Sequence, residues 1–155
     1  MTIRENVVRA REILETTARR LAWLPPLLIR LCLAAIFIPS GWGKLHDLAK
    51  VTGFFSELGI PLPHLNAVVV AVSEFVCGLL LLVGLASRLA AIPLIVSMTV
   101  AILTAKRPDI GGPVDLFALD ELVYLVLAVA ILVGGAGSVA ADGLIDRKIK
   151  QRRST

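Results

Sequence analysis

Two charged side chains are surrounded by apolar sequence, and any chemistry in this chain starts from them. Glu74 stands near the middle of Ala67–Gly84, AVVVAVSEFVCGLLLLVG, and Arg30 stands inside LLIRLCLAAIFIPSGWGK, residues 27–44. An apolar helix of about 20 residues crosses the hydrocarbon core of a bilayer. A charge there costs roughly 2.5–3.5 kcal/mol on insertion scales, so it faces a partner or a polar cavity. Opposite signs on neighbouring helices predict an intramembrane ion pair between Arg30 and Glu74. At about 1.5 Å per residue, counted from the span ends, the two differ in height by about 7 Å, within the reach of an arginine. Ala34 and Gly41 share a face with Arg30, and Ala67, Ala71 and Gly78 share one with Glu74. Small residues at such spacing let helices approach closely. The alternative left open is an unpaired, protonated Glu74 that serves proton or quinol chemistry.

A second polar group, Lys44, Lys106, Asp120, Glu121 and Tyr124, falls at the other membrane face. Tyr124 follows Glu121 by three residues and so shares its helix face. The candidate ligand-binding residues are therefore Lys44, Glu121 and Tyr124. There a quinone head group or small anion would find Lys44 and Tyr124 as donors. The plainer reading is interfacial anchoring with a structural ion pair.

Other chemistries find less support. Cys32 and Cys77 form no CxxC and are read as packing thiols. At about 100° per residue, Cys32 is rotated some 200° from Arg30 and faces away from the expected pair. His46 and His64 are too far apart to suggest a metal site, which needs three or four converging ligands. No glycine-rich phosphate loop, haem-attachment motif or transmembrane histidine pair is present, and no intrinsic cofactor is expected. Ser40, Ser73, Ser97 and Thr99 have no base to activate them as nucleophiles. No catalytic residue is assigned.

The elements that must position these residues follow from composition. Hydrophobic residues make up 57% of the 155 and mean hydropathy is +0.84, against roughly 45–50% apolar in soluble domains. An integral membrane protein with one compact bundle is expected. Residues 1–22 read as an amphipathic surface helix, with Ile3, Val7, Ala10, Leu14 and Leu21 at helical spacing among arginines. Residues 23–146 hold four spans, and residues 147–155 form a basic tail. The first span opens after Pro25 and Pro26 and ends near Trp42, with Pro39 expected to kink it. VTGFFSEL reads as a short interfacial helix. The second span is Ala67–Gly84, and Ala86-Ser87-Arg88 leaves so little loop that the third, about Leu89–Ala105, must be its antiparallel neighbour. KRPDIGGPVDLF reads as a loop before the fourth span, about Leu119–Gly134.

Four spans put both termini on one side. That side gathers Arg4, Arg9, Arg11, Arg19, Arg20, Arg88 and the basic residues from Arg147 to Arg153, against Lys44, Lys50, Lys106 and Arg107 opposite. The bias predicts both termini in the cytoplasm. The net charge of +4 is assigned to these flanks and to anionic lipid, not to nucleic acid.

GWGKL after an arginine-bearing span, then FFSELGIP, then SEFVCGLLLLVGLASR, resembles the DoxX family of small four-helix bacterial membrane proteins. GAGSVAAD, Gly135–Asp142, resembles that family's segment after the last helix. The resemblance extends from Leu27 to Asp142 and rests on Arg30, Gly41, Lys44, Gly59, Pro61, Glu74, Gly78, Gly84 and Arg88 taken in order. Pro39, Ala136 and Ala140 depart from it. It implies an all-α transmembrane four-helix bundle in the bacterial inner membrane, acting as an accessory or small subunit of a quinone-linked redox complex. A bound quinone, a protein partner in that complex and a homo-oligomer are further implications. A non-enzymatic scaffold or assembly factor is the main alternative, and a small transporter the third.

Overall fold

The computed structural model describes residues 3–143, so the basic tail expected at 147–155 lies outside the described residues. Among those residues every regular element is helical: α1 Ile3–Arg20, α2 Leu24–His46, α3 Leu48–Glu57, α4 Pro63–Val83, α5 Ser87–Leu103, α6 Pro113–Phe117 and α7 Asp120–Gly134. Helix α2 packs on α4, α4 on α5, α5 on α7, and α7 returns to α2, closing a ring of four. Helix α3 lies against α4 where α2 ends. The short connection between α4 and α5 defines one end of the bundle, the turn end; α3 and α6 mark the other, the loop end.

Local chemistry sets these boundaries. Pro25 and Pro26 occupy the first turn of α2, where a missing N–H has no intrahelical partner to lose. Pro39 is carried inside α2, which continues through it to His46 as one helix. Gly84 ends α4 in the left-handed region at φ 76°, with its N–H on the Leu80 carbonyl at 2.8 Å. The expected loop KRPDIGGPVDLF is partly helical, with a 3-10 turn at Arg107–Asp109 before α6. Proline in each first turn and Asp115, which accepts from the Gly111 N–H at 3.0 Å, account for that order.

The core of the ring is built from Leu33, Phe37, Leu81, Ala91, Leu94 and Ile131. Its outside is no less apolar: Val69 and Val76 on α4, Val96 on α5, and Val126 and Val133 on α7 are all exposed. Arg30 and Glu74, by contrast, are buried. A soluble domain rarely presents so continuous an apolar surface. Helices α2 and α4 are long and apolar enough to cross a membrane, and α5 is a shorter apolar helix.

Candidate functional site

The register of α2 on α4 is set by two glycines. A Cβ on Gly41 would lie 2.8 Å from the Ala71 carbonyl oxygen, and one on Gly78 would lie 3.0 Å from the Ile38 backbone nitrogen. The helices therefore touch backbone to backbone, with Gly41 level with residues 71–75. This places Glu74, 1% exposed, opposite the last two turns of α2. Its Oε2 accepts from Ser40 Oγ at 2.8 Å and from Lys44 Nζ. Its Oε1 accepts from Ser97 Oγ on α5 at 3.1 Å. Lys44 also donates to Ser40 Oγ at 3.0 Å, so ammonium, hydroxyl and carboxylate form a closed triangle. The lysine side chain is 29% exposed while the carboxylate is sealed, so Lys44 links a buried charge to the loop end.

The expected pair of Arg30 with Glu74 is not formed. Arg30 Nε donates to the Leu81 carbonyl at 2.8 Å and Nη2 to that of Leu82 at 3.1 Å. Nη1 donates to Ala136 and Val139 at 3.1 and 2.9 Å. Two acceptors are last-turn carbonyls of α4, which lack helical partners and carry the negative end of the helix dipole. The other two lie in the segment after α7, which folds back over the turn end. Glu74 precedes Leu81 by seven residues, about 10 Å along the helix. Four unsatisfied carbonyls lie beside the guanidinium, while the carboxylate has a lysine at its own level. Heights counted from assumed span ends could not resolve this; the glycine contacts do.

Asp142 completes the turn end. Its Oδ1 accepts from the Ala86 N–H at 2.7 Å and Oδ2 from that of Ser87 at 3.0 Å, capping the start of α5. The Asp142 N–H donates to the Gly84 carbonyl at 3.0 Å. Arg30 and Asp142 thus tie α2, α4, α5 and the chain beyond α7 into one knot.

The three candidate ligand residues are not gathered into one hydrogen-bonded group. Lys44 joins Glu74; Glu121 pairs with Lys106 at 3.5 Å; Tyr124 packs edge-on against Phe37 with ring centroids 6.1 Å apart. Phe37 lies one turn before Ser40 and Gly41 on α2, so Tyr124 stands beside the polar cluster on the core side. The spacing reading missed Ser40 and Ser97. Two signals could have found them: Ser40 precedes Lys44 by four residues on one face, and Ser97 is a hydroxyl inside an apolar helix. Cys32 is exposed and Cys77 buried, both free. His46 lies against Trp42, centroids 4.3 Å apart, and no metal-ligand cluster occurs among the described residues.

Chemically, the cluster is a carboxylate with two hydroxyl donors and one ammonium that also meets solvent or a head group. It can hold a proton or orient an acceptor oxygen placed at Lys44. The model of the DoxX family matches residues 26–107, just over half of the sequence.

The chain belongs to the DoxX family.

It is a membrane protein of that family, and the matched segment holds Arg30, Ser40, Lys44, Glu74 and Ser97 while ending before Glu121 and Tyr124. The chain is 38% identical over 79 residues to the "Uncharacterized membrane protein Rv3486" of Mycobacterium tuberculosis. That match covers 50% of this chain and 48% of the relative, so the chain spans about half of that protein's length. It is 31% identical over 114 residues to the "Putative oxidoreductase CatD" of Bacillus subtilis, covering 72% of this DoxX chain and 78% of that one. No solved structure gives a significant match.

Proposed function

We propose that this DoxX protein is a small accessory subunit of a quinone-linked redox complex in the bacterial cytoplasmic membrane. In this reading the ring of four crosses the bilayer with both termini in the cytoplasm. The observation that carries it is the half-exposed Lys44 backed by buried Glu74, Ser40 and Ser97 at the loop end. A quinone carbonyl oxygen accepts a hydrogen bond, and its reduction to a quinol takes up two electrons and two protons. Lys44 would orient that oxygen, with Tyr124 as a second donor, while Glu74 and its hydroxyls hold or relay a proton. The electrons are assigned to a partner protein, since the sequence carries no motif for a redox cofactor. The name of the Bacillus relative is consistent with an oxidoreductase setting.

The test is quinone-analogue binding to the protein in nanodiscs, followed by quenching of the nearby Trp42. A lost charge-assisted hydrogen bond is worth about 1.5–3 kcal/mol, so Lys44→Ala is expected to weaken binding roughly tenfold or more. Tyr124→Phe is expected to weaken it less. Unchanged affinity in both variants would sink this reading.

One observation favours a second reading, a non-enzymatic scaffold. Both carboxylate oxygens of Glu74 already have partners from its own chain, as a structural pair would. Co-purified quinone supports the first reading, and a quinone-free bundle that always brings down one protein partner supports the second.

A further inference from the structure

Helix α1 carries a pattern that the bundle does not use. Val7, Leu14 and Leu21 are 62%, 69% and 47% exposed, so no part of the described chain covers them. At about 100° per residue they fall within some 40° of one another, on one face. On the same wheel Arg4 and Arg11 border that face on one side, and Arg9 and Arg20 border it on the other, each within roughly 100° of its centre. Glu12 lies opposite, about 160° from Leu14. Glu15 sits outside Arg11 and takes its Nε at 2.8 Å. Cations at both borders with a carboxylate at the back is the order that an anionic layer on the apolar side would select. A protein surface met end-on would give no reason for the two arginine rows to be so evenly placed.

The chain path fixes where that face can go. Only Leu21, Ala22 and Trp23 separate α1 from the start of α2, one of the two helices long enough to cross a membrane. The backbone stays tied through that connection: the Leu21 N–H donates to Thr17 and the Leu24 N–H to Leu21, at 3.0 and 2.9 Å. The end of α1 is therefore held within about 10 Å of the turn end, since three residues span at most roughly that distance. The polar head-group zone there is several ångströms deep, which suits a helix lying in the membrane plane.

We propose that α1 is an anionic-lipid binding element: Val7, Leu14 and Leu21 enter the interface while Arg4, Arg9, Arg11 and Arg20 engage lipid phosphates. The ligand is the head group of an anionic phospholipid in the leaflet at the turn end. Each basic residue near such a surface changes the docked-to-undocked ratio by about fivefold.

The full chain, with Cys32→Ala to remove the exposed native thiol, is labelled with an environment-sensitive fluorophore at Leu14→Cys or at Glu12→Cys. It is placed in nanodiscs of phosphatidylcholine alone or with phosphatidylglycerol. The expected result is a blue-shifted Leu14 label that is stronger with phosphatidylglycerol and weakened by high salt, with the Glu12 label remaining in water. Arg→Gln at Arg4, Arg9, Arg11 and Arg20 together removes the dependence on phosphatidylglycerol and leaves the bundle folded, because all four are on the exposed helix. A Leu14 label in water in both lipids overturns the proposal. Equal shifts in both lipids, unaffected by the arginine variant, overturn it as well. So does a shift that disappears when each nanodisc holds one copy, which would make a second chain the occupant.

Discussion

Lys44 closes on Glu74 from the next helix, and the contact joins a half-exposed ammonium to a carboxylate that is 1% exposed. An interior charge in this chain is thus tied to one end of the bundle and not sealed from both. The asymmetry governs how the pair responds to change. Losing the ammonium leaves a buried carboxylate with only hydroxyl donors; losing the carboxylate leaves a lysine that can still reach water.

Lys44→Met is accordingly expected to destabilise the protein more than Glu74→Gln. Breaking a buried pair costs about 3–5 kcal/mol, and the partial exposure of Lys44 puts its loss toward the lower end. Unfolding in detergent, followed for both single variants and the double variant, measures the coupling. Additive losses would mean that the contact contributes nothing.

Arg30 and Glu74 are expected to behave as strangers. Sites more than about 7–10 Å apart without shared partners add to within about 0.3–0.5 kcal/mol. A cycle of Arg30→Ala, Glu74→Ala and the double variant should therefore be additive. Arg30→Lys is expected to be nearly as damaging as Arg30→Ala, because an ammonium cannot reproduce a planar fork serving four carbonyls. Recovery of stability by lysine would refute the fork.

Two glycines should respond in opposite directions to alanine. Gly84 has φ 76° and its side is filled by the Arg30 guanidinium and by Ala140, whereas Gly43 lies inside α2 with nothing within 4 Å. A left-handed conformation costs a non-glycine residue about 1–2 kcal/mol before any clash, so Gly84→Ala should destabilise by at least that. Gly43→Ala should stabilise by about 0.5–1 kcal/mol through helix propensity. Thermal unfolding of the two variants checks the contrast.

Asp142→Ala removes both acceptors at the start of α5. Loss of a helix cap typically costs about 0.5–2 kcal/mol, and hydrogen exchange should quicken first at Ala86 and Ser87. Lys106→Gln at the opposite end should change stability by no more than about 1 kcal/mol, as expected for an exposed pair. A larger effect at Lys106 than at Asp142 would contradict this ranking.

The helices themselves were legible because each is an apolar run closed by its own punctuation: Pro25 and Pro26, Gly59 to Pro63, Gly84, and Gly134 with Gly135. That Arg30 and Glu74 turn inward was legible too, since a charge in such a run has few other places to go. Their partners were not. Pairing depends on the axial offset between α2 and α4, which Gly41 and Gly78 set by letting backbones touch. No periodicity reports an offset of one or two turns. The Arg30 acceptors Ala136 and Val139 were less legible still. They are backbone atoms 106 and 109 residues away, in a segment read only as the unwinding end of a helix.

That separation bears on how the protein is made. At a synthesis rate of roughly 5–20 residues per second, the Val139 carbonyl emerges about 5–20 s after the arginine it will receive. For that interval Arg30 has only part of its final coordination, and its nearest relief is the head-group layer about two turns below. Helix α2 should therefore enter the bilayer shallow and be drawn to its final depth only when the last segment folds back. A ribosome stalled before Ala136 would leave the first helix misplaced, though every residue of it had long been made.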